Sequence, residues 1–417
     1  MGNPSALDTG NTAWILTSTA LVLFMTLPGL ALFYGGLVRA KNVLSVLMQC
    51  FAITALVTLL WLAFGYSVAF EPSGYEKLEV GLHSFVGGLS KAFLRGIGGD
   101  TLWGSIPEPL FFAYQLTFAI ITPALIVGAF AERMKFGALL AFSGLWLVLV
   151  YLPICHMVWG GQGAYFADLG VLDFAGGIVV HITAGVAALV ACIVVGPRHG
   201  YPRTAMPPHN MTMTVTGTGM LWVGWFGFNA GSALAANGNA ATALVATHVS
   251  ASAAALTWMA IEWRGFGRPS ALGVATGAVA GLAAVTPASG FVGPVGALVI
   301  GTLAATVCWY ASTSLKRRLG YDDSLDVFGV HGVGGFLGTA LVAVFASDVF
   351  GGNQIGIAIS RQLGVQLFAA LFAVAYTAAV TWGILRALMA LDGLRVDEAD
   401  ETRGLDISIH GEEGYNL

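Results

Sequence analysis

Two histidines sit where ionisable side chains are costly. His181 is at the centre of LDFAGGIVVHITAGVAALVA, residues 172–191, a run apolar enough to lie inside a bilayer, with Asp173 near its start. His331 lies far along the chain in DVFGVHGVGGFLGTALVAVFA, which has Asp326 at its start. Ionisable groups at membrane depth by default face a bundle interior or a wet cavity. Gly177, Gly185 and Ala188 fall at −4, +4 and +7 from His181, and Gly335 and Gly338 at +4 and +7 from His331. Each histidine therefore rides on a small-residue stripe that lets another helix approach closely. Neutral imidazoles can pass hydrogen bonds along a file or shuttle a proton near neutral pH. A lone membrane histidine can equally be a packing residue bonded to a carbonyl, but a repeated pair weighs against that. A metal site is weaker still. No Cys or carboxylate accompanies the pair, and Asp173 is eight residues from His181, about 12 Å along a helix axis.

A second constellation lies towards the ends of neighbouring apolar runs. It comprises Trp159, Tyr114 and Phe118, with Phe228 and Ser232 in WFGFNAGS. Aromatic faces attract an ammonium-like cation through the ring quadrupole, and a serine hydroxyl can accept its hydrogen bond. Interfacial belts are also rich in Trp and Tyr, so each ring alone says little. His248, within a span, and His156, near a span end, read as structural or partner-facing.

The elements that must carry these groups are membrane helices. The chain is 57% hydrophobic and 10% charged with mean hydropathy +0.79, against a charged share of about 25% in soluble domains. We therefore expect an all-α integral membrane protein. A net charge of −4 without a basic cluster gives no sign of a nucleic-acid partner, and none is expected. Cys50, Cys155, Cys192 and Cys308 lie far apart in apolar stretches without CxxC spacing and read as inert core thiols. The N-terminal MGNPSALDTGNTAW has no basic n-region, so no retained signal peptide is expected.

Eleven apolar segments run roughly over 12–34, 43–70, 110–131, 137–158, 174–196, 211–236, 240–262, 271–288, 292–314, 327–347 and 361–391. Most reach the ~20 residues that span hydrocarbon, and 271–288 is the shortest. One set of connections, with the last helix end and tail, holds fourteen Lys and Arg; the other holds Lys77, Lys91, Arg95 and Arg361. The positive-inside rule then puts the N-terminus outside and the C-terminus in the cytoplasm. The connection 71–108 reads as a surface loop with short helices, and 393–417 as a cytoplasmic tail.

His181 is in the fifth segment and His331 in the tenth, while GLALFYGG in the first is echoed by GWFGFNAG in the sixth. Five is odd, so the second half enters the membrane in the opposite sense. Two inverted five-helix repeats, about 12–196 and 211–347, followed by a final helix at 361–391, make a transporter or channel architecture within a domain at 1–392.

At ALFYGGLVRAKNVLS, GAFAERMKF, HMVWGG, LDFAGGIVVH, WFGFNAGSA, VTPASGFVG, DVFGVHGVGG and GLDISIHGEEGYNL the chain resembles the Amt/Mep/Rh ammonium transporter family, most closely its bacterial Amt branch. These motifs run in order along nearly the whole chain. The resemblance implies eleven transmembrane helices around a pore and a homotrimer in the inner cell membrane, in contact with lipid. It implies transport of ammonium or ammonia, with methylammonium as analogue, and neither enzymatic activity nor a cofactor or metal. By the same resemblance Trp159, Phe118 and Ser232 match the outer recruitment site, and Phe118 and Phe228 the stacked gate. His181 and His331 match the twin histidines of the pore, and Asp173 an acidic residue that orders the outer vestibule. Tyr151 and Thr286 resemble further pore-proximal contacts. The tail resembles the segment through which relatives answer a cytoplasmic PII signalling protein. His248 departs from the family pattern, and Ile120 is expected to give the pore an apolar face after Phe118. A neutral-gas channel of the Rh type (ammonia or carbon dioxide) and an ammonium sensor acting through PII are the alternatives; Trp159 and Ser232 favour a cation site over the first.

Overall fold

The computed structural model describes residues 6–415, so Asn416 and Leu417 of the tail and the first five residues of the N-terminal stretch lie outside it. Nine helices among the described residues are long and apolar enough to cross a membrane. In chain order they are α1 (Thr9–Leu37), α2 (Ala40–Phe70), α3 (Glu108–Phe130), α4 (Phe136–Trp159), α5 (Gly177–Val195), α7 (Gly238–Phe266), α9 (Pro294–Leu319), α10 (Phe328–Phe345) and α11 (Ile359–Leu391). Two more, α6 (Met211–Gly231) and α8 (Ala271–Val285), occupy the sixth and eighth apolar segments. The first is diluted by Thr and Gly, and the second is short.

Helix α6 is less apolar because its face is built for close packing. Methyl groups on Gly224 and Gly227 would run into Met25 and Leu21 of α1. Small residues at a helix interface bring backbones together where hydrophobicity gives no drive. The same logic governs the crossing of α5 and α10. A methyl on Gly185 would overlap the Gly332 backbone, and one on Gly335 would meet His181 Cβ at 2.7 Å. The two glycines four residues after each histidine are thus the point where α5 and α10 touch.

The ends of the bundle differ in character. At one end the connection 71–107 folds into short turns and a hairpin pairing Leu102–Trp103 with Ile106–Pro107, tied to α3 by Lys91 Nζ on Glu108 Oε1 at 2.5 Å. The opposite end gathers the basic connections. There Arg198 grips Asp322 through Nε and Nη2 at 2.9 and 2.8 Å, and Glu132 binds Arg39 at 2.7 Å. Burial alone would raise both carboxyls; the Arg198 guanidinium outweighs it, and both lie below their usual range.

The tail straps across that same end. Lys135 N donates to Leu394 O at 2.9 Å and Val396 N to Arg133 O at 3.0 Å. Glu398–Arg403 forms a short helix, and Asp406 then accepts from Leu44 N at 3.0 Å and Ser45 N at 2.8 Å. The carboxylate of the tail therefore caps the start of α2, where backbone N–H groups have no partner within their own helix. Tyr415 Oη closes the strap on His209 Nε2 at 2.9 Å.

Candidate conduction site

Three cavities follow one another through the bundle. The first opens at the hairpin end, holds about 160 Å³, and is lined by Phe70, Trp103, Phe111, Gln115, Phe118, Trp159, Phe174, Ser232 and Leu234. Gln115 and Phe118 share it because they lie one turn apart on the same face of α3. Trp159 caps the end of α4, and its Nε1 donates to Asp173 O at 2.9 Å. Its ring meets Phe118 edge-on at 5.8 Å. Ser232 Oγ donates to Phe228 O at 2.8 Å, so its lone pairs remain to accept. Tyr114 Oη reaches Gly227 O at 2.9 Å and Phe228 O at 3.1 Å, fixing α6 to α3 beneath the cavity.

Phe118 and Phe228 close the floor. Their centroids are 4.3 Å apart with planes inclined by 30°, and both are almost wholly buried. Below them lies a space of about 10 Å³ lined by Met25, Leu30, Ile121, Val180, His181, Leu221, Trp225 and His331, among others, about the room of a single water molecule. His181 Nδ1 and His331 Nδ1 are 3.2 Å apart, and the rings lie 5.2 Å centre to centre. One imidazole must donate and the other accept, so the two Nε2 atoms take opposite roles. His181 Nε2 has no partner among the described residues. Both histidines stand in π-helical turns, Gly177–Ile182 and Phe328–Gly332, a local widening often found at functional positions.

Asp173 fixes the first of those turns. Its Oδ1 accepts from Gly176 N (2.9 Å) and Gly177 N (2.6 Å), and its Oδ2 from Ile178 N (2.8 Å) and Val179 N (3.2 Å). One carboxylate thus satisfies four backbone donors at the head of α5. Gly176, at φ +114, makes the turn that brings them round. Asp173 precedes the helix, so measuring its separation from His181 along a helix axis, as the sequence suggested, does not apply. In the second half the corresponding group is Asp323, also eight residues before its histidine, whose Oδ2 accepts from Phe328 N at 2.7 Å. Asp326 instead pairs with Lys316 at 2.7 Å. Burial pushes the Asp323 carboxyl up to about 6, against the opposing pull of Lys316.

Beyond His331 the third cavity, about 250 Å³, opens at the tail end between Arg198, Glu262, Ser312, Ser324 and Asp326. The expected residues Trp159, Phe118 and Ser232 therefore line the first cavity and Phe228, His181 and His331 the second, with Asp173 bonded behind them. Thr286 acts one step back: Trp225 Nε1 donates to its Oγ1 at 2.9 Å, and Trp225 stacks on His181 at 5.5 Å. Sequence reasoning missed Trp225; its one signal was three residues' separation from Phe228, which puts both on one helix face. Tyr151 is buried in α4 and lines none of these cavities. Ile121, not Ile120, lines the second cavity, as the i, i+3 spacing from Phe118 requires. His248 lies on the bundle exterior against Trp222 and Phe226. His156 is structural, with Nδ1 and Nε2 each 2.9 Å from a carbonyl, of Ala69 and His83 respectively.

Apolar spans surrounding an aromatic cavity, a phenylalanine floor and a buried histidine pair define a multi-pass membrane protein with a succession of internal cavities. The chain belongs to the Ammonium Transporter Family, whose sequence model matches residues 13–415. It is 46% identical to an ammonium transporter of Aquifex aeolicus, over 99% of this chain and 94% of that one. To an ammonium transporter of Bacillus subtilis it is 44% identical, over 98% and 99%. Its fold is similar to the crystal structure of Saccharomyces cerevisiae Mep2, with TM-score 0.85 and 34% identity over 95% of this chain and 90% of that one. It is also similar to a sensor Amt protein, with TM-score 0.87 and 28% identity over 96% and 98%.

Proposed function

We propose that this protein carries ammonium across the cytoplasmic membrane by capturing NH4+ at the hairpin end, stripping a proton near Phe118 and Phe228, and passing NH3 beside His181 and His331. The observation that carries this is the succession of an aromatic cavity with a serine acceptor, a phenylalanine floor, and a passage one small molecule wide holding two hydrogen-bonded imidazoles. Cation–π attraction by Trp159 and Phe118 favours any small cation and cannot separate ammonium from potassium. The narrow apolar step does so, because it imposes dehydration on both. Only ammonium has an escape, since burial disfavours the charged amine and can lower its pKa by ~3–5 pH units when complete. The donor and acceptor Nε2 atoms then suit a molecule that both gives and takes hydrogen bonds. The stripped proton crosses separately along the hydrogen-bonded His181–His331 pair and rejoins NH3 in the tail-end cavity, so that charge moves with the substrate.

On this account the hairpin end faces outside and the tail the cytoplasm, in keeping with the fourteen-to-four division of Lys and Arg. The eleven helices are two inverted repeats plus α11, an arrangement supported by the packing of α1 on α6 and the crossing of α5 and α10. Three copies assemble, one pore each. The tail strap 393–417 couples the pore's inner mouth to a PII-type partner. A sensing role is the second reading, favoured by the likeness to a sensor Amt protein. Saturable uptake of labelled methylammonium tests the proposal. Trp159→Leu with Ser232→Ala should weaken capture about tenfold or more, since both a cation–π face and an acceptor are lost. An unchanged apparent affinity would remove the outer site.

A further inference from the structure

One polar side chain in the hairpin-end cavity has no task in that scheme. Gln115 is 9% exposed and lines the cavity with Trp159, Phe118 and Ser232. Its Oε1 is buried and has no hydrogen-bond partner among the described residues. Buried amides are seldom left so, because an unmet acceptor in a low-dielectric site is costly. Three polar groups beside it are already engaged. Trp159 Nε1 is committed to Asp173 O, Tyr114 Oη to the α6 carbonyls, and the Ser232 proton to Phe228 O. An amide can exchange its oxygen for its NH2 by turning about one terminal bond, so Gln115 can offer an acceptor wherever a donor arrives.

Position adds to this. Helix α3 runs from the hairpin end inward, and Gln115 lies one turn outward of Phe118, roughly 4.5 Å along the axis. A cation seated between Trp159 and Phe118 has four N–H donors if it is ammonium, and Ser232 alone can satisfy one of them. A second acceptor on the opposite helix turns a cation-attracting aromatic cup into one that reads N–H direction.

We infer that Gln115 is a specificity-determining residue of the outer site, supplying with Ser232 the second hydrogen-bond acceptor that distinguishes an N–H cation from a bare metal cation. This rests on the transport reading above. It extends that reading to the ligand class: ammonium and primary alkylammonium ions that keep at least two free N–H groups on the cup side.

The test is the concentration dependence of labelled methylammonium uptake by the full-length protein, with ammonium and potassium chloride as competitors. Gln115→Leu is expected to raise the half-saturating concentration about tenfold, equivalent to ~1.4 kcal/mol, and to lower the maximal rate far less. Gln115→Glu, which keeps shape and adds charge, is expected to bind more tightly and to become sensitive to potassium competition. Gln115→Asn, one methylene short, should fall between parent and the leucine variant, and carries the test if the leucine variant fails to reach the membrane. Parent affinity and parent potassium resistance across the three variants overturn the inference. If Trp159→Leu also leaves affinity unchanged, the outer site itself falls; if only Trp159→Leu weakens capture, the outer site stands and Gln115 is a packing residue.

Discussion

Replacing Asp173 with alanine tests how the passage is held open. The carboxylate accepts four backbone N–H groups between 2.6 and 3.2 Å, while its own backbone oxygen holds the Trp159 indole. Losing an ordinary helix cap costs ~0.5–2 kcal/mol, usually for one or two bonds at a wet surface. Here four donors lose a buried charged acceptor, and the nearer comparison is breaking a buried ionic contact, ~3–5 kcal/mol. Against a total stability of ~5–15 kcal/mol that is a large share. The Asp173→Ala protein should melt well below the parent in detergent, measured by the fraction surviving heating on size exclusion. Its uptake should be poor at equal membrane abundance, because Trp159 and the His181 turn lose a common anchor. Asp173→Asn keeps one oxygen and so at most two of the bonds, and should be intermediate. Asp173→Glu, one methylene longer, should recover little. An alanine variant with parent melting and full uptake would refute the reasoning, leaving Asp173 a bystander.

Three further expectations follow from the packing and charges. Gly335→Leu, at the α5–α10 contact, should abolish uptake and lower stability by more than the ~1–3 kcal/mol of ordinary overpacking, since even its Cβ would meet His181 Cβ at 2.7 Å; parent heat resistance would contradict the close crossing. The Arg198–Asp322–Glu132 cluster contributes stability that is fully present above the unfolded carboxyl pKa, ~4, and lost as pH falls through the depressed folded values, so Asp322→Asn should flatten the acid limb of a stability-versus-pH curve. Removing residues 393–417 should change uptake and its response to a PII protein without preventing assembly, and Asp406→Ala alone should make the tail more accessible to protease, because it unfastens the α2 cap.

The histidines with glycine four residues on could be read from spacing, because helical periodicity survives any detail of packing. Trp159, Phe118, Phe228 and Ser232 stand out together only through motifs that resemble the family, since each ring alone also suits an interfacial belt. Ile121 takes the place expected of Ile120, because the helix turn from Phe118 and not adjacency in sequence sets the shared face. Asp326 stood out by preceding its apolar run, yet Asp323 does the bonding; the equal eight-residue offset of Asp173 and Asp323 was the available clue. The π-helical turns at His181 and His331 left no signal, since they arise from how α5 and α10 are capped and crossed. Gly185 and Gly335 marked the contact but not each other. Trp225 and Thr286 meet only through folding, across helices far apart in the sequence. The tail's strap was equally hidden: its bonds to residues 42–45, 133–135 and 209 mix backbone and side-chain groups on both sides and follow no sequence pattern.

The central claim is that His181 and His331 make the passage one for ammonia and protons rather than for intact cations. The direct measurement is current in ammonium and in potassium, at matched protein density, for the parent and for His181→Asp, His331→Glu and the two leucine variants. An acidic group keeps proton exchange but brings negative charge, which attracts whole cations and lowers the dehydration barrier. The account predicts ammonium current without potassium current in the parent, current carried by intact ammonium and also by potassium in the acidic variants, and no current with leucine at either position. Parent-level ammonium current from the double His181→Leu, His331→Leu protein would contradict it and reduce the pair to packing.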